Sequence, residues 1–148
     1  MTRFFPGILL AGALALQGGP GEIAFAQSPS LNREALLLEL NRIEQVAETC
    51  SLTFLVQNEL EGTIGELAFE FVLFDERGLV QDMNIFDFGS LPRGKTIVRR
   101  FRLKDTRCAS VSRLLINGTD RCKLTSARDQ ACMERLRTTN RTDTKFGL

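Results

Sequence analysis

The feature that most restricts what this chain can fold into is a change of hydrophobic period at Cys50. Beyond it, apolar residues alternate with polar ones in short runs separated by turn signals, the pattern of half-buried strands. Five strands are expected, over residues 51–58, 66–75, 79–86, 95–103 and 111–117. The breaks between them are Glu61-Gly62, Glu76-Arg77-Gly78, a loop over 89–94 containing Pro92, and residues 104–110. In the first run Leu52, Phe54 and Val56 alternate with Thr53 and Gln57. In the second, Leu67, Phe69, Phe71 and Leu73 line one face.

Before Cys50 the spacing is different. Leu36, Leu40, Ile43, Ala47 and Cys50 recur at steps of four and three, with Leu37, Leu38 and Val46 widening the stripe. This predicts an amphipathic helix over about 33–48, capped by Ser30 or Asn32 and packed on its own domain. As a dimerising helix it would offer only two heptads, too few for a coiled coil. Near the other end, Ser126 with Asp129 three residues later reads as a capping box opening a short helix through about Arg137. Residues 138–148 carry no apolar period and read as a flexible tail. The fold class expected is mainly β (α+β): an antiparallel immunoglobulin-like β-sandwich with an N-terminal amphipathic helix and a short C-terminal helix.

The first 26 residues have the three parts of an export signal: Arg3, an apolar run from Phe4 to Leu16, and small residues at Ala24-Phe25-Ala26. The run is broken by Pro6, Gly7 and Gly12, too short for the roughly 20 apolar residues of a membrane span. Cleavage after Ala26 would leave 122 of the 148 residues. The expected organisation is a signal peptide over 1–26, an entry segment and helix over 27–49, a disulfide-stabilised sandwich over 50–137, and the tail. The expected location is the periplasm or outside the cell, with no integral membrane segment after cleavage.

In that compartment Cys50, Cys108, Cys122 and Cys132 read as two structural disulfides. Four cysteines allow three pairings. Cys122 and Cys132 enclose a short polar loop and form a natural local pair, leaving Cys50 with Cys108. Antiparallel pairing of the first and fourth expected strands would bring those two together. A zinc or redox site is disfavoured, because no Cys-x-x-Cys occurs and the chain has no His.

The missing His also removes the commonest general base, and no Gly-x-Ser-x-Gly occurs. No catalytic, cofactor-binding or metal-binding residues are assigned. Glu70, Asp75, Glu76, Asp82 and Asp87 are close in sequence and supply the alternative, a small carboxylate-based hydrolase. Asp82, Asn84 and Asp87 do not match a calcium loop. Asn117-Gly118-Thr119 and Asn140-Arg141-Thr142 fit the glycosylation sequon, read here as chance.

The net charge of +1 hides a strong asymmetry. Residues 27–92 hold 3 basic and 12 acidic side chains, whereas residues 93–148 hold 15 basic and 5 acidic. One reading is neutralisation through cross-strand pairs. The functional one is a basic face of Arg99, Arg100, Arg102, Lys104 and Arg107 for an envelope protein or another anionic surface. Nucleic acid is a poor candidate, since no Tyr or Trp is interleaved for stacking.

The run Phe71-Val72-Leu73-Phe74-Asp75-Glu76-Arg77-Gly78, followed by Leu91-Pro92-Arg93-Gly94-Lys95-Thr96 and Arg100-Phe101-Arg102-Leu103, resembles the FxLYD domain, a small immunoglobulin-like sandwich of exported prokaryotic proteins. Phe74 stands where that family has Tyr. The resemblance spans about residues 50–117 and implies a fold and an exported setting but no catalytic residues. The flanking segments look like those of small exported proteins of Gram-negative bacteria. The function expected is a non-enzymatic binding or structural module of the bacterial envelope.

Overall fold

The computed structural model describes Met1 and residues 34–125 and 131–148. The expected signal segment, its cleavage site and the capping box at Ser126 and Asp129 lie outside the described residues. The strands are β1 (Leu36–Val46), β2 (Thr49–Asn58), β3 (Ile64–Phe74), β4 (Val80–Leu91), β5 (Thr96–Leu103), β6 (Arg113–Leu124), β7 (Leu136–Asn140) and β8 (Lys145–Gly147). They form two four-stranded sheets, ordered β5-β2-β1-β7 and β4-β3-β6-β8.

One core lies between the sheets. Leu36, Leu38, Leu40, Leu52, Phe54 and Val56 come from the first sheet, and Leu67, Phe69, Phe71, Leu73, Phe86, Phe88 and Leu114 from the second. Phe54 is its centre, with rings of Phe71, Phe86, Phe88, Phe101 and Phe146 all within 6.1 Å of its own. Phe86 stacks on Phe101 at 4.3 Å and ties β4 to β5 across the gap.

The five expected strands are present with shifted ends. β4 runs on through Gly89 to Leu91, where a loop was expected. Gly89 sits at a bulge with φ 73°, a conformation that favours glycine.

Over residues 36–46 the expected N-terminal helix is not formed, and its expected caps Ser30 and Asn32 lie outside the described residues. The segment forms β1, paired antiparallel with β2 along its whole length. A β-bulge produced the misleading spacing. Leu36, Leu38 and Leu40 alternate inward, then Asn41 is extruded, so that Arg42 pairs with Thr53 and Ile43 with Leu52. The inward step from Leu40 to Ile43 is therefore three residues, and a strand with one three-residue step imitates the helical period.

The C-terminal reading also changes. The only helix of α type among the described residues is a single turn, α1 (Ala131–Glu134), and Leu136 already begins β7 instead of continuing a helix to Arg137. Residues 138–148 are not a tail, because they complete β7 and supply β8. These strands join the sheets in parallel with β1 and β6, so the sandwich is not wholly antiparallel. Short strands of this kind show too few residues for a period to be read.

The two disulfides are Cys50–Cys108 and Cys122–Cys132. β2 pairs antiparallel with β5, setting Cys50 opposite Leu103, so the loop after β5 carries Cys108 back to it. No helix among the described residues is long and apolar enough to cross a membrane.

Candidate binding face

The outward residues of the two sheets differ in charge. On the second sheet Glu66, Glu70 and Asp87 stand against Arg113, Arg121 and Lys123. Arg121 meets Asp87 at 2.8 Å and Lys123 meets Glu66 at 2.7 Å, while Glu70 accepts from Asn117. Arg113 lies over the ring of Phe74, 5.6 Å from its centre. Here the acidic and basic halves of the chain do neutralise each other across strands.

The first sheet is not neutralised in this way. On its outer side Arg100, Thr53 and Arg42 form one cross-strand row, and Arg102, Ser51 and Glu44 the next. Arg100 and Arg102 are two residues apart on β5, about 7 Å along the strand, and Arg100 is about 10 Å from Arg42, two strand spacings away. Ser51 and Thr53 are outward-facing yet only 4% and 8% exposed, because the long side chains on either side cover them. Arg137 extends the positive charge along β7. Among the described residues, none of Arg42, Arg100 and Arg102 has a carboxylate within 4.0 Å.

One acid on this face is paired. Glu39 accepts from Asn41 and from Arg141, the latter at 3.1 Å. The Asn41 amide first, and after it Arg141 and Thr139, hold the Glu39 carboxyl below the ordinary range against the opposing effect of burial.

The five basic residues singled out from the sequence thus separate. Arg100 and Arg102 share the outer face. Arg99 points the other way, toward the side of the sandwich, where its Nε donates to the Phe88 carbonyl at 2.9 Å. Lys104 lies just past β5, and Arg107 stands at the sandwich end, so neither belongs to the sheet face. Arg42 was missed because a residue on a supposed helix has no register with β5. Its signal was the alternation of Leu36, Leu38 and Leu40.

Arg107 lines an open groove of about 930 Å³ with Gln45, Ala47, Glu48, Asp105, Thr106, Cys108 and Ala109. Ala47 and Asp105 adopt φ of 50° and 52°, uncommon for residues other than glycine. Gln45 secures this end. Its amide donates to the Ala47 carbonyl at 2.7 Å, and its oxygen accepts from the Cys108 N–H at 2.7 Å.

Four of the five carboxylates of the hydrolase alternative, Glu70 among them, are engaged by neighbouring donors. Asp75 accepts from the Leu79 and Arg77 N–H groups and closes the β3–β4 turn. Those bonds hold its carboxyl below the ordinary range, the reverse of what a general acid needs. Asp82 accepts from the Met83 N–H and the Asn84 amide, and Asp87 from the Gly89 N–H and Arg121. Among the described residues no three or more metal-ligating side chains converge.

Fold and face together define a two-sheet, disulfide-stapled β-sandwich with one neutralised and one basic sheet surface. Among solved structures, the chain is similar to IrmA from Escherichia coli, with a TM-score of 0.54 and 10% identity, over 71% of this chain and 91% of that one. At that identity the likeness is one of fold. No protein-family model matches the chain, the FxLYD model included, and no curated protein matches it by sequence.

Proposed function

We propose that the chain is a non-enzymatic, exported binding module of immunoglobulin-like type, and that the outer face of its β5-β2-β1-β7 sheet engages an anionic partner in the bacterial envelope. The observation that carries this reading is the set of three arginines, Arg42, Arg100 and Arg102, brought together by register and left without carboxylate partners among the described residues. A flat sheet whose arginines leave the backbone about 7 Å apart along a strand and about 10 Å apart across two strand spacings suits a repeating or planar array of anions. Two disulfides fit an oxidising compartment outside the cytoplasm, and the N-terminal segment read as a signal fits the same route. The FxLYD-like run remains in this reading a turn and packing motif, with Asp75 closing the hairpin.

The test is cosedimentation of the oxidised protein with phosphatidylglycerol vesicles, and retention on dextran sulfate, with phosphatidylcholine and uncharged dextran as blanks. At about 1 kcal/mol for each basic side chain near an anionic surface, R100E/R102E should weaken binding at least ~30-fold. K123E/K145E, an equal reversal outside the face, should leave it within a few-fold. Binding should fall steeply between low and physiological salt. Failure to bind either anionic probe at low salt would overturn the reading, as would equal loss in both double variants.

A further inference from the structure

The outer face of the first sheet is not polar throughout. Two residues along β5 and β2 from Arg100 and Thr53, about 7 Å away, Val98 and Leu55 stand in one row with Glu39 of β1. The next row holds Thr96, Gln57 and Leu37, with Arg137 of β7 beside Leu37. Leu37 and Leu55 are half-buried and Val98 is 58% exposed. Apolar side chains thus lie on this face between Arg42 and Arg100 on one side and Arg137 on the other.

The surface here is also concave. Leu37, Glu39, Leu55, Gln57, Thr96 and Thr139 line a hollow of about 150 Å³, room for a short stretch of alkyl chain. The carboxylate in the lining is already engaged, since Glu39 accepts from Asn41, Thr139 and Arg141. Covering the two leucines is favourable only for a ligand that brings apolar surface of its own. A purely ionic partner, such as a sulfated sugar, would leave the hollow to water.

We propose, on the footing that this face binds anions, that its ligand is an anionic amphiphile, with the head group on Arg42 and Arg100 and the alkyl chain running over Leu55 into the hollow at Leu37. Charge complementarity supplies the head-group site, because neither arginine has a carboxylate partner among the described residues and a guanidinium pairs with sulfate, phosphate or carboxylate oxygens. The adjoining leucines supply the chain site. The ligand is a single molecule and not a bilayer surface, because Leu37 and Leu55 are recessed, whereas entry into a bilayer needs apolar side chains that stand clear of the surface.

The experiment is a chemical-shift titration of the oxidised protein at low salt with butyl, hexyl and octyl sulfate, each below its micelle-forming concentration, with octyl glucoside as the uncharged control and circular dichroism to confirm that the fold survives. A fully buried methylene is worth about fourfold in affinity, so the added methylenes of octyl sulfate, partly covered in an open hollow, should tighten it at least ~10-fold over butyl sulfate. Shifts should centre on β1, β2 and β5, and L37T/L55T should abolish the chain-length gain while R100E/R102E weakens all three sulfates. If L37T/L55T fails to fold, the wild-type series carries the test. Binding of dextran sulfate or phosphatidylglycerol vesicles with equal affinities for butyl and octyl sulfate overturns the amphiphile and leaves the anion-binding face standing, whereas failure of every anionic probe overturns both. A chain-length gain that survives L37T/L55T, or octyl glucoside binding as tightly as octyl sulfate, also overturns the proposal.

Discussion

Asn58, the last residue of β2, is fully buried among apolar side chains, and replacing it probes the closed end of the sandwich. Its side chain satisfies three backbone groups at once. The Nδ2 donates to the carbonyls of Gly62 and Leu91, both at 2.9 Å, and Oδ1 accepts from the Leu60 N–H at 3.0 Å. One residue thereby joins the β2–β3 loop to the end of β4. Asn58→Leu keeps the branched heavy-atom shape without any polar atom, and strands the Leu91 carbonyl and the Leu60 N–H in the interior. At about 1–3 kcal/mol for each buried group left without a partner, the loss is about 2–6 kcal/mol, against about 5–15 kcal/mol for a typical domain.

Asn58→Asp sharpens the test. Its carboxylate can still accept from Leu60 but would face two carbonyl oxygens, so its pKa in the folded state rises above the unfolded value. The penalty is fully present above the raised folded pKa and is relieved as pH falls toward the unfolded pKa, where a protonated acid can donate again. Urea unfolding of the oxidised protein at neutral and mildly acidic pH measures both effects. A cost below about 1 kcal/mol for Asn58→Leu, or an Asn58→Asp deficit that does not shrink on acidification, would refute the reasoning.

Two further predictions concern the staples and the acid limb. Cys50–Cys108 closes a span of 58 residues and Cys122–Cys132 a span of 10. Paired Cys→Ala substitution should therefore cost about 4 kcal/mol at the first and about 3 kcal/mol at the second in the chain-entropy model, and denaturant midpoints in the reverse order would count against it. Glu39 and Asp75 have lowered pKa values, so the stability they contribute is present above the ordinary carboxylate range and lost as pH falls through their lowered values. Acid titration by circular dichroism should show a shallower acid limb for Glu39→Gln than for the wild type.

Much of the fold was legible because its signals are local. The alternation over Leu67, Phe69, Phe71 and Leu73 identifies β3 whatever its neighbours do, since side chains on a strand point to opposite faces in turn. The disulfide pairing followed from a short loop and one guessed strand pair. β1 was misread because the bulge at Asn41 inserts a three-residue step into a two-residue period. β7 and β8 were invisible because residues 136–140 and 145–147 are strands only by virtue of the edges they join.

The candidate site was half legible for a related reason. The alternation on β5 places Arg100 and Arg102 on one face and Arg99 on the other, and that much is local. Arg42 joins them through the β1–β2 register, which the bulge shifts. Whether a cation is neutralised depends on which strand lies beside it. Arg121 and Lys123 fall next to the acids of β3 and β4, while Arg100 and Arg102 fall next to Thr53 and Ser51.

By itself the sequence determined that the chain is mainly β, that its four cysteines pair as two structural staples, and that its charge divides into an acidic and a basic half. Each of these depends on residue type and short-range spacing. The tertiary structure decided which surface stays basic, which acids meet a basic partner, and that the segment before Cys50 is a strand. Those outcomes depend on register, and register is set by neighbours tens of residues away, where one extruded residue moves every following side chain to the opposite face.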